Sequence, residues 1–313
     1  MIEHLMNRWI WSIVNLNCFW CASMKIPFYI LNAFSRSHNG GNPAGVVLDA
    51  EQLSDIQMQV IAKKINLTET AFVQKSNKAD FKVRFFTPDI EVDLCGHATI
   101  ATFSCLKHLQ RIHQGKYRQE TKTGILDIEI QKNDLIFMNQ NIPDFKEKFE
   151  KELVANALNI KPEEILSEIP IQIVSTGFPT LLVPLISRRR LVSLSPSLER
   201  CVKLCNKKTL LHPFTFETFC PKSIAFSRDF FPIKILDEEA ATGTANGALA
   251  CYLFQYGIIE KLQSQNLVFE QGYGMKRPSE IRVSLQIKEN KITEVKVGGF
   301  TDNMKCKKID IRS

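Results

Sequence analysis

Three short segments of this chain hold residue types that can move a proton. Glu69 sits in Leu67-Thr68-Glu69-Thr70-Ala71-Phe72-Val73, a carboxylate among apolar neighbours. Desolvation of such a group disfavours its charge and brings its pKa toward the range where acid/base catalysis works. Cys95-Gly96-His97-Ala98-Thr99 pairs a thiol and an imidazole around a glycine, ahead of a run with helical character. A glycine there lets the backbone approach a ligand, and a helix N-terminus offers free N–H groups to an anion. His97 can donate to a substrate carboxyl or relay a proton. Thr242-Gly243-Thr244-Ala245 repeats the pattern later in the chain. Two facing helix starts would hold a carboxylate and stabilise an enolate-like intermediate. A glycine at either start also serves close helix packing, so only the matched pair points to function.

The pair belongs to a longer internal repeat. Arg84-Phe85-Phe86 with Pro88 returns as Arg228-Asp229-Phe230-Phe231-Pro232, and Gly41-Asn42-Pro43-Ala44-Gly45 is echoed by Gly177-Phe178-Pro179-Thr180. Gly41 to Gly177, Arg84 to Arg228 and Gly96 to Gly243 are separated by 136, 144 and 147 residues. A near-constant offset means two similar halves, and a cleft between them where each contributes one loop.

The surrounding pattern supplies the elements. Strands are expected at Phe28–Phe34, Val46–Leu48, Glu69–Val73, Phe81–Phe86, Ile125–Gln131, Leu135–Met138, Ile171–Val174, Leu181–Val183, Ile281–Ile287 and Ile292–Val297. Leu53–Ile65 has helical spacing. His97 to about His113 and Thr244 to about Tyr256 are apolar on most faces and read as buried helices. Strand-rich halves around one buried helix each make an α+β fold rather than a βαβ sheet. The domain reading is an N-terminal extension over 1–23, an N-terminal half over 24–124 and a C-terminal half over 125–313, with the last strands crossing back. The extension imitates a signal peptide, but its apolar run is short and broken by Asn15 and Asn17; Met24 reads as the working start of the fold.

Composition is that of a globular domain: 44% apolar, 23% charged, net charge +7 in 313 residues. The basic clusters Arg188-Arg189-Arg190 and Lys305, Lys307, Lys308 read as solvated surface, and without interleaved aromatics they do not make a nucleic-acid face. Nine irregularly spaced cysteines suit reduced thiols and a cytoplasmic protein. Cys18 and Cys21 with Cys201, Cys205 and His212 could in principle bind zinc, yet lack the tight spacing of a zinc knuckle. No metal, organic cofactor, nucleic acid or membrane is expected.

The motifs together resemble the phenazine-biosynthesis-like (PhzF-like) isomerase family. The resemblance is carried by Asn66-Leu67-Thr68-Glu69-Thr70-Ala71-Phe72-Val73, Phe85-Phe86-Thr87-Pro88, Asp93-Leu94-Cys95-Gly96-His97-Ala98-Thr99, Gly41-Asn42-Pro43-Ala44-Gly45, Ser175-Thr176-Gly177, Ala241-Thr242-Gly243-Thr244-Ala245-Asn246-Gly247 and Gln271-Gly272, over about residues 26–300. It implies a diaminopimelate-epimerase-like fold, in which each half is a strand barrel around a central helix. It implies a homodimer and a cofactor-independent proton shift on a small carboxylate substrate. Glu69, His97 and Glu239 take the catalytic positions, and Asn42, Gly96, Gly243 and Thr244 the substrate-binding ones. The chain departs from the family where an Asp-Pro becomes Glu239-Ala240 and a Ser becomes Thr244. Two other readings stay open. One is an amino-acid or hydroxy-acid epimerase or racemase, which would need a thiol facing Cys95 where Thr242 stands. The other is a non-catalytic protein that binds small carboxylates or a protein partner.

Overall fold

A computed structural model describes residues 25–206, 208–232 and 236–311. The readings of residues 1–24, Cys18 and Cys21 included, lie outside the described residues. The first part of the chain runs β1 (Lys25–Ala33), β2 (Asn42–Val47), α1 (Asp55–Ile65), β3 (Glu69–Gln74), β4 (Phe81–Phe86), β5 (Glu91–Val92), α2 (Gly96–His108), β6 (Gly115–Thr121), β7 (Gly124–Ile130) and β8 (Ile136–Gln140). The second runs β9 (Asp144–Phe149), α3 (Lys151–Leu158), β10 (Ile171–Ser175), β11 (Pro179–Pro184), α4 (Arg188–Val192), α5 (Leu198–Cys205), β12 (Leu210–Thr215), β13 (Ala225–Ser227), β14 (Asp229–Pro232), β15 (Leu236–Glu239), α6 (Gly243–Gln255), β16 (Leu267–Gln271), β17 (Ser279–Lys288), β18 (Lys291–Gly299) and β19 (Thr301–Asp310). The fold is α+β. No described helix is long and apolar enough to cross a membrane.

Strand pairing shows the repeat directly. The first sheet runs β19-β1-β2-β3-β4-β6-β7-β8, and only β2–β3 and β4–β6 are parallel. The second runs β9-β10-β11-β12-β13-β16-β17-β18, and only β11–β12 and β13–β16 are parallel. The two orders of parallel and antiparallel neighbours are the same. The sheets join where β8 meets β18 antiparallel, Met138 opposite Val297. After each of these strands the chain changes sides: β9 pairs with β10, and β19 with β1. The boundary drawn between 124 and 125 falls at the turn of the β6–β7 hairpin, so β7 and β8 stay hydrogen-bonded to the first sheet.

Each sheet wraps one helix. Nine of the thirteen residues of α2 are buried, and ten of the thirteen of α6. A helix apolar on all faces is stable only when surrounded. α2 ends at His108 rather than near His113, because Gln110 takes a left-handed backbone (φ 58°) that stops the helix. Outside the sheets, α1 packs Met58, Ile61 and Ala62 on Phe72 and Phe86, and α3 and α5 cover the second sheet.

These layers set the site. α1 begins with a Ser54/Gln57 capping box and ends at Asn66, whose φ of 55° turns the chain. Three residues later Glu69 opens β3 beside Ala44 of β2. The hairpin leading into α2 is clamped by Arg84, which holds both oxygens of Glu91 at 2.8 and 2.9 Å. The hairpin leading into α6 is clamped by Arg228 on Glu238, at 2.8 and 2.7 Å. Bidentate guanidinium–carboxylate pairs fix orientation as well as distance.

Candidate active site

The starts of α2 and α6 meet in one cleft. A lobe of about 210 Å³ is lined by Glu69, Cys95, Gly96 and His97 from the first half, and by Glu239, Thr242, Gly243 and Thr244 from the second. A second lobe of about 500 Å³ shares Glu69, Gly96, Phe178 and Thr244 and extends toward Ile125, Asn139 and Asn141. Asn42 lies just behind: its amide donates to the Ala241 carbonyl at 3.2 Å and stands 3.4 Å from His97 Nδ1, tying the halves together. All seven residues singled out from the sequence therefore sit in or against one cleft.

The first half supplies a compact cluster. His97 Nε2 is 3.2 Å from Glu69 Oε2, and His97 Nδ1 is 3.4 Å from the Cys95 sulfur. Glu69 faces a histidine, not a lysine. Its Oε2 is buried and makes no well-aligned hydrogen bond despite the short contact, while the residue as a whole lines both lobes. Burial pushes the Cys95 thiol up to about 11, so it is neutral at neutral pH. Burial also opposes a charged His97, but its Cys95 and Glu69 neighbours outweigh that and hold its pKa well above the usual histidine range. With the thiol neutral, Glu69 is the neighbour whose charge counts there.

The second half supplies a deeper network. Thr242 starts α6, yet its hydroxyl does not cap that helix. Instead it lies 2.9 Å from Glu239 Oε2 and 2.9 Å from Asp229 Oδ2. Gln271 donates from Nε2 to the Glu239 carbonyl at 2.8 Å and accepts from Thr242 N–H at 3.1 Å. Burial pushes Glu239 up to about 7; Glu69 and Asp229 add to the rise, while His97 and the Thr242 hydroxyl oppose it. This carboxyl of the cleft is therefore tuned to neutral pH.

The two glycines differ. A Cβ on Gly96 would touch only the Met138 sulfur, at an ordinary 3.6 Å, so packing does not require a glycine there. A Cβ on Gly243 would meet Val297 at 3.0 Å and Phe34 at 3.2 Å, so this glycine lets α6 pack closely. No lysine or arginine is among the described residues lining either lobe. An anion there depends on the two helix N-termini and on His97. The walls are apolar: Phe178 meets Phe231 edge-on at 5.6 Å, beside Leu210.

Among the described residues, one group brings three metal-type donors together: Glu69, Cys95 and His97, within 4.8 Å of one another. Cys201 and Cys205 are buried on α5 and join no such group with His212. The basic residues 305–308 lie exposed on β19.

The comparisons with known proteins fit this arrangement. The family model described as "Phenazine biosynthesis-like protein" matches residues 31–302. The chain belongs to the phenazine biosynthesis-like family. It is 36% identical to the uncharacterized isomerase YfhB of Bacillus subtilis, over 81% of this chain and 88% of that one. It is 31% identical to the trans-2,3-dihydro-3-hydroxyanthranilate isomerase of Pseudomonas chlororaphis, over 87% and 95%. The crystal structure of the Bacillus anthracis phenazine biosynthesis protein of the PhzF family superposes with a TM-score of 0.81 at 31% identity, covering 91% of this chain and 99% of that one. Like these relatives, the chain is an isomerase.

Sequence reasoning did not place Asp229, His212, Phe231 or Leu210 at or behind the cleft. Asp229 had a signal: the second Arg-Phe-Phe repeat carries an extra acid inside an apolar strand. His212, in Leu211-His212-Pro213-Phe214, had none, because its partner is 17 residues away.

Proposed function

We propose that this phenazine biosynthesis-like isomerase moves a proton along the conjugated system of a small cyclic carboxylic acid, with no organic cofactor. One observation carries the reading: two carboxyls of different character, Glu69 and Glu239, line one cleft between two helix N-termini. Glu69, which lines both lobes of the cleft, takes a proton from a carbon in conjugation with the carboxylate-bearing carbon. The electron pair shifts along the conjugated system, and the N–H groups around Gly96 and Gly243 hold the carboxylate or enolate as charge grows. Glu239, raised to about 7 and so still carrying a proton in part of the molecules at neutral pH, returns a proton to a different carbon. One proton leaves and one is added, so the product is an isomer. His97 stands beside Glu69 and carries the charge balance.

The named substrate of the Pseudomonas relative is a cyclic dihydro acid, and the Phe178, Phe231 and Leu210 walls suit such a ring. A two-thiol racemisation is not supported, since Thr242 stands where the second thiol would be and Cys95 is a neutral thiol. The family resemblance also carries the expectation of a homodimer, which sedimentation measures. The test is a heavy-water screen of small unsaturated carboxylic acids, trans-2,3-dihydro-3-hydroxyanthranilate included, with wild type beside Glu69→Gln. Deuterium entry with double-bond migration that is lost in the variant is the expected result. Deuterium entry at the α-carbon without migration would instead mean an epimerase, and binding without any exchange a carboxylate-binding protein.

A further inference from the structure

Behind Glu239 lies a buried chain of polar groups that the acid/base reading leaves unused. Asp229 Oδ1 is 2.7 Å from His212 Nδ1, Asp229 Oδ2 is 2.9 Å from the Thr242 hydroxyl, and that hydroxyl is 2.9 Å from Glu239 Oε2. Asp229 and His212 are both 0% exposed. His212 Nε2 is buried with no hydrogen-bond partner, so the chain ends inside the protein.

Proton counting constrains the chain. A threonine hydroxyl has one proton. Between two ionised carboxylates it can satisfy only one, and the other contact becomes repulsive. Both contacts are hydrogen bonds only if one carboxyl is protonated. Asp229 has a second partner in His212 Nδ1 at 2.7 Å, whereas burial raises Glu239. Glu239 is then the protonated member, donating to Thr242, which donates to Asp229. Thr242 is free for this because it does not cap α6. The other neighbours leave the arrangement undisturbed. The Arg228 guanidinium is spent on Glu238 and on the Leu191 and Leu194 carbonyls. Burial pushes the nearby Cys205 thiol up to about 12, so it is neutral. On the cleft side Glu239 faces His97 and Glu69.

The first half has no such chain. Ala71 pairs with Phe85 on β3 and β4, where the second half places His212 and Asp229. The His212–Asp229 contact is an addition to one half, not part of the shared scaffold.

We propose that Asp229 and His212 are positioning residues that hold Glu239, through the Thr242 hydroxyl, in its proton-donating form. The inference rests on Glu239 being the acid of the proposed reaction. When Glu239 gives its proton to substrate, two carboxylates are left on one hydroxyl, and their repulsion drives Glu239 to take up a proton again.

The test needs no substrate, so it stays readable even if the isomerase reading fails. Protein carrying ¹³C-labelled glutamate is titrated by NMR, and the Glu239 carboxyl is assigned by its absence in Glu239→Gln. Wild type is expected to titrate near 7. Asp229→Asn should lower that midpoint by about one unit or more, as loss of a nearby like charge does, and His212→Leu should lower it in the same direction by loosening Asp229. The double variant should lower it no further than Asp229→Asn alone. A midpoint unmoved in folded Asp229→Asn overturns the proposal. If that variant does not fold, ¹⁵N-histidine spectra of wild type and Glu239→Gln decide. The His212 ring signals should follow the Glu239 midpoint in wild type and lose that step in Glu239→Gln; signals without the step in wild type overturn the proposal. With an active substrate, Asp229→Asn should move the alkaline limb of kcat to lower pH and leave KM nearly unchanged.

Discussion

Glu69 opens β3 in the first half, and Leu210 opens β12 in the second. Each stands across a parallel pair from its neighbour, Ala44 in one case and Thr180 in the other. The same correspondence sets Cys95 against Thr242, His97 against Thr244 and Val92 against Glu239, while the clamps Arg84–Glu91 and Arg228–Glu238 are alike in both. What the halves share is what a scaffold needs: strand order, a buried helix, and a guanidinium fork before the helix start. What they do not share is what acid/base chemistry needs. A base and an acid in one cleft must differ in pKa, and identical environments cannot make them differ. Asymmetry at the twin positions is therefore the functional content of the repeat.

Substitutions at twin positions put that division to the test. The largest effect is expected at the base: Glu69→Leu, which gives the first half its twin's residue, should lower isomerisation by about 10²–10⁴-fold, the usual contribution of a general base. Leu210→Met should stay within a few-fold of wild type in the same assay, and a larger loss would mean that the second half carries more of the chemistry than its residues suggest. Next comes the acid. Glu239 is raised from the ordinary carboxyl value to about 7, so its protonated form is present below that pH and disappears above it. A rate that needs this proton falls as pH rises through about 7. Glu239→Gln should be slower and should lose that alkaline limb, whereas Val92→Ala should keep it; pH profiles of kcat measure both.

A third pair concerns stability. Gly243→Ala forces a Cβ against Val297 and Phe34 and should cost about 1–3 kcal/mol of overpacking, while Gly96→Ala should leave the melting temperature nearly unchanged. Thermal unfolding of the two variants would reverse this ranking if α2, not α6, were the tightly seated helix. The smallest effect is expected for Cys95→Ser. A thiol pushed up to about 11 supplies no thiolate at neutral pH, so activity should remain within about tenfold of wild type. A total loss would reopen thiol chemistry at this site.

Much of the fold was legible because periodicity and repetition are local signals. The strands over 124–130, 171–175, 279–288 and 291–299 lie within about two residues of their expected spans. Short strands such as β13 and β14, and the helices α3 to α5, were missed because three to eight residues carry too little period to read. The strands on either side of the 124/125 boundary pair with each other, and nothing local in a hairpin turn says which sheet the next strand will join. The cleft residues were legible as motifs, but their partners were not. That Glu69 faces His97, 28 positions along the chain, is a matter of a shared sheet, not of spacing.

The sequence by itself determined that there are two similar halves, that each begins a buried helix with a glycine-bearing loop, and that an imidazole and a thiol flank the first of these glycines. Those are properties of residue type and order. Only the tertiary structure decided that Glu239 is tuned. It rises to about 7 because desolvation and the charges of Glu69 and Asp229 act through space, not along the chain. Only the tertiary structure, too, brought His212 and Asp229 together behind that acid: burial and pairing are set by what packs across the sheet, which no stretch of sequence contains.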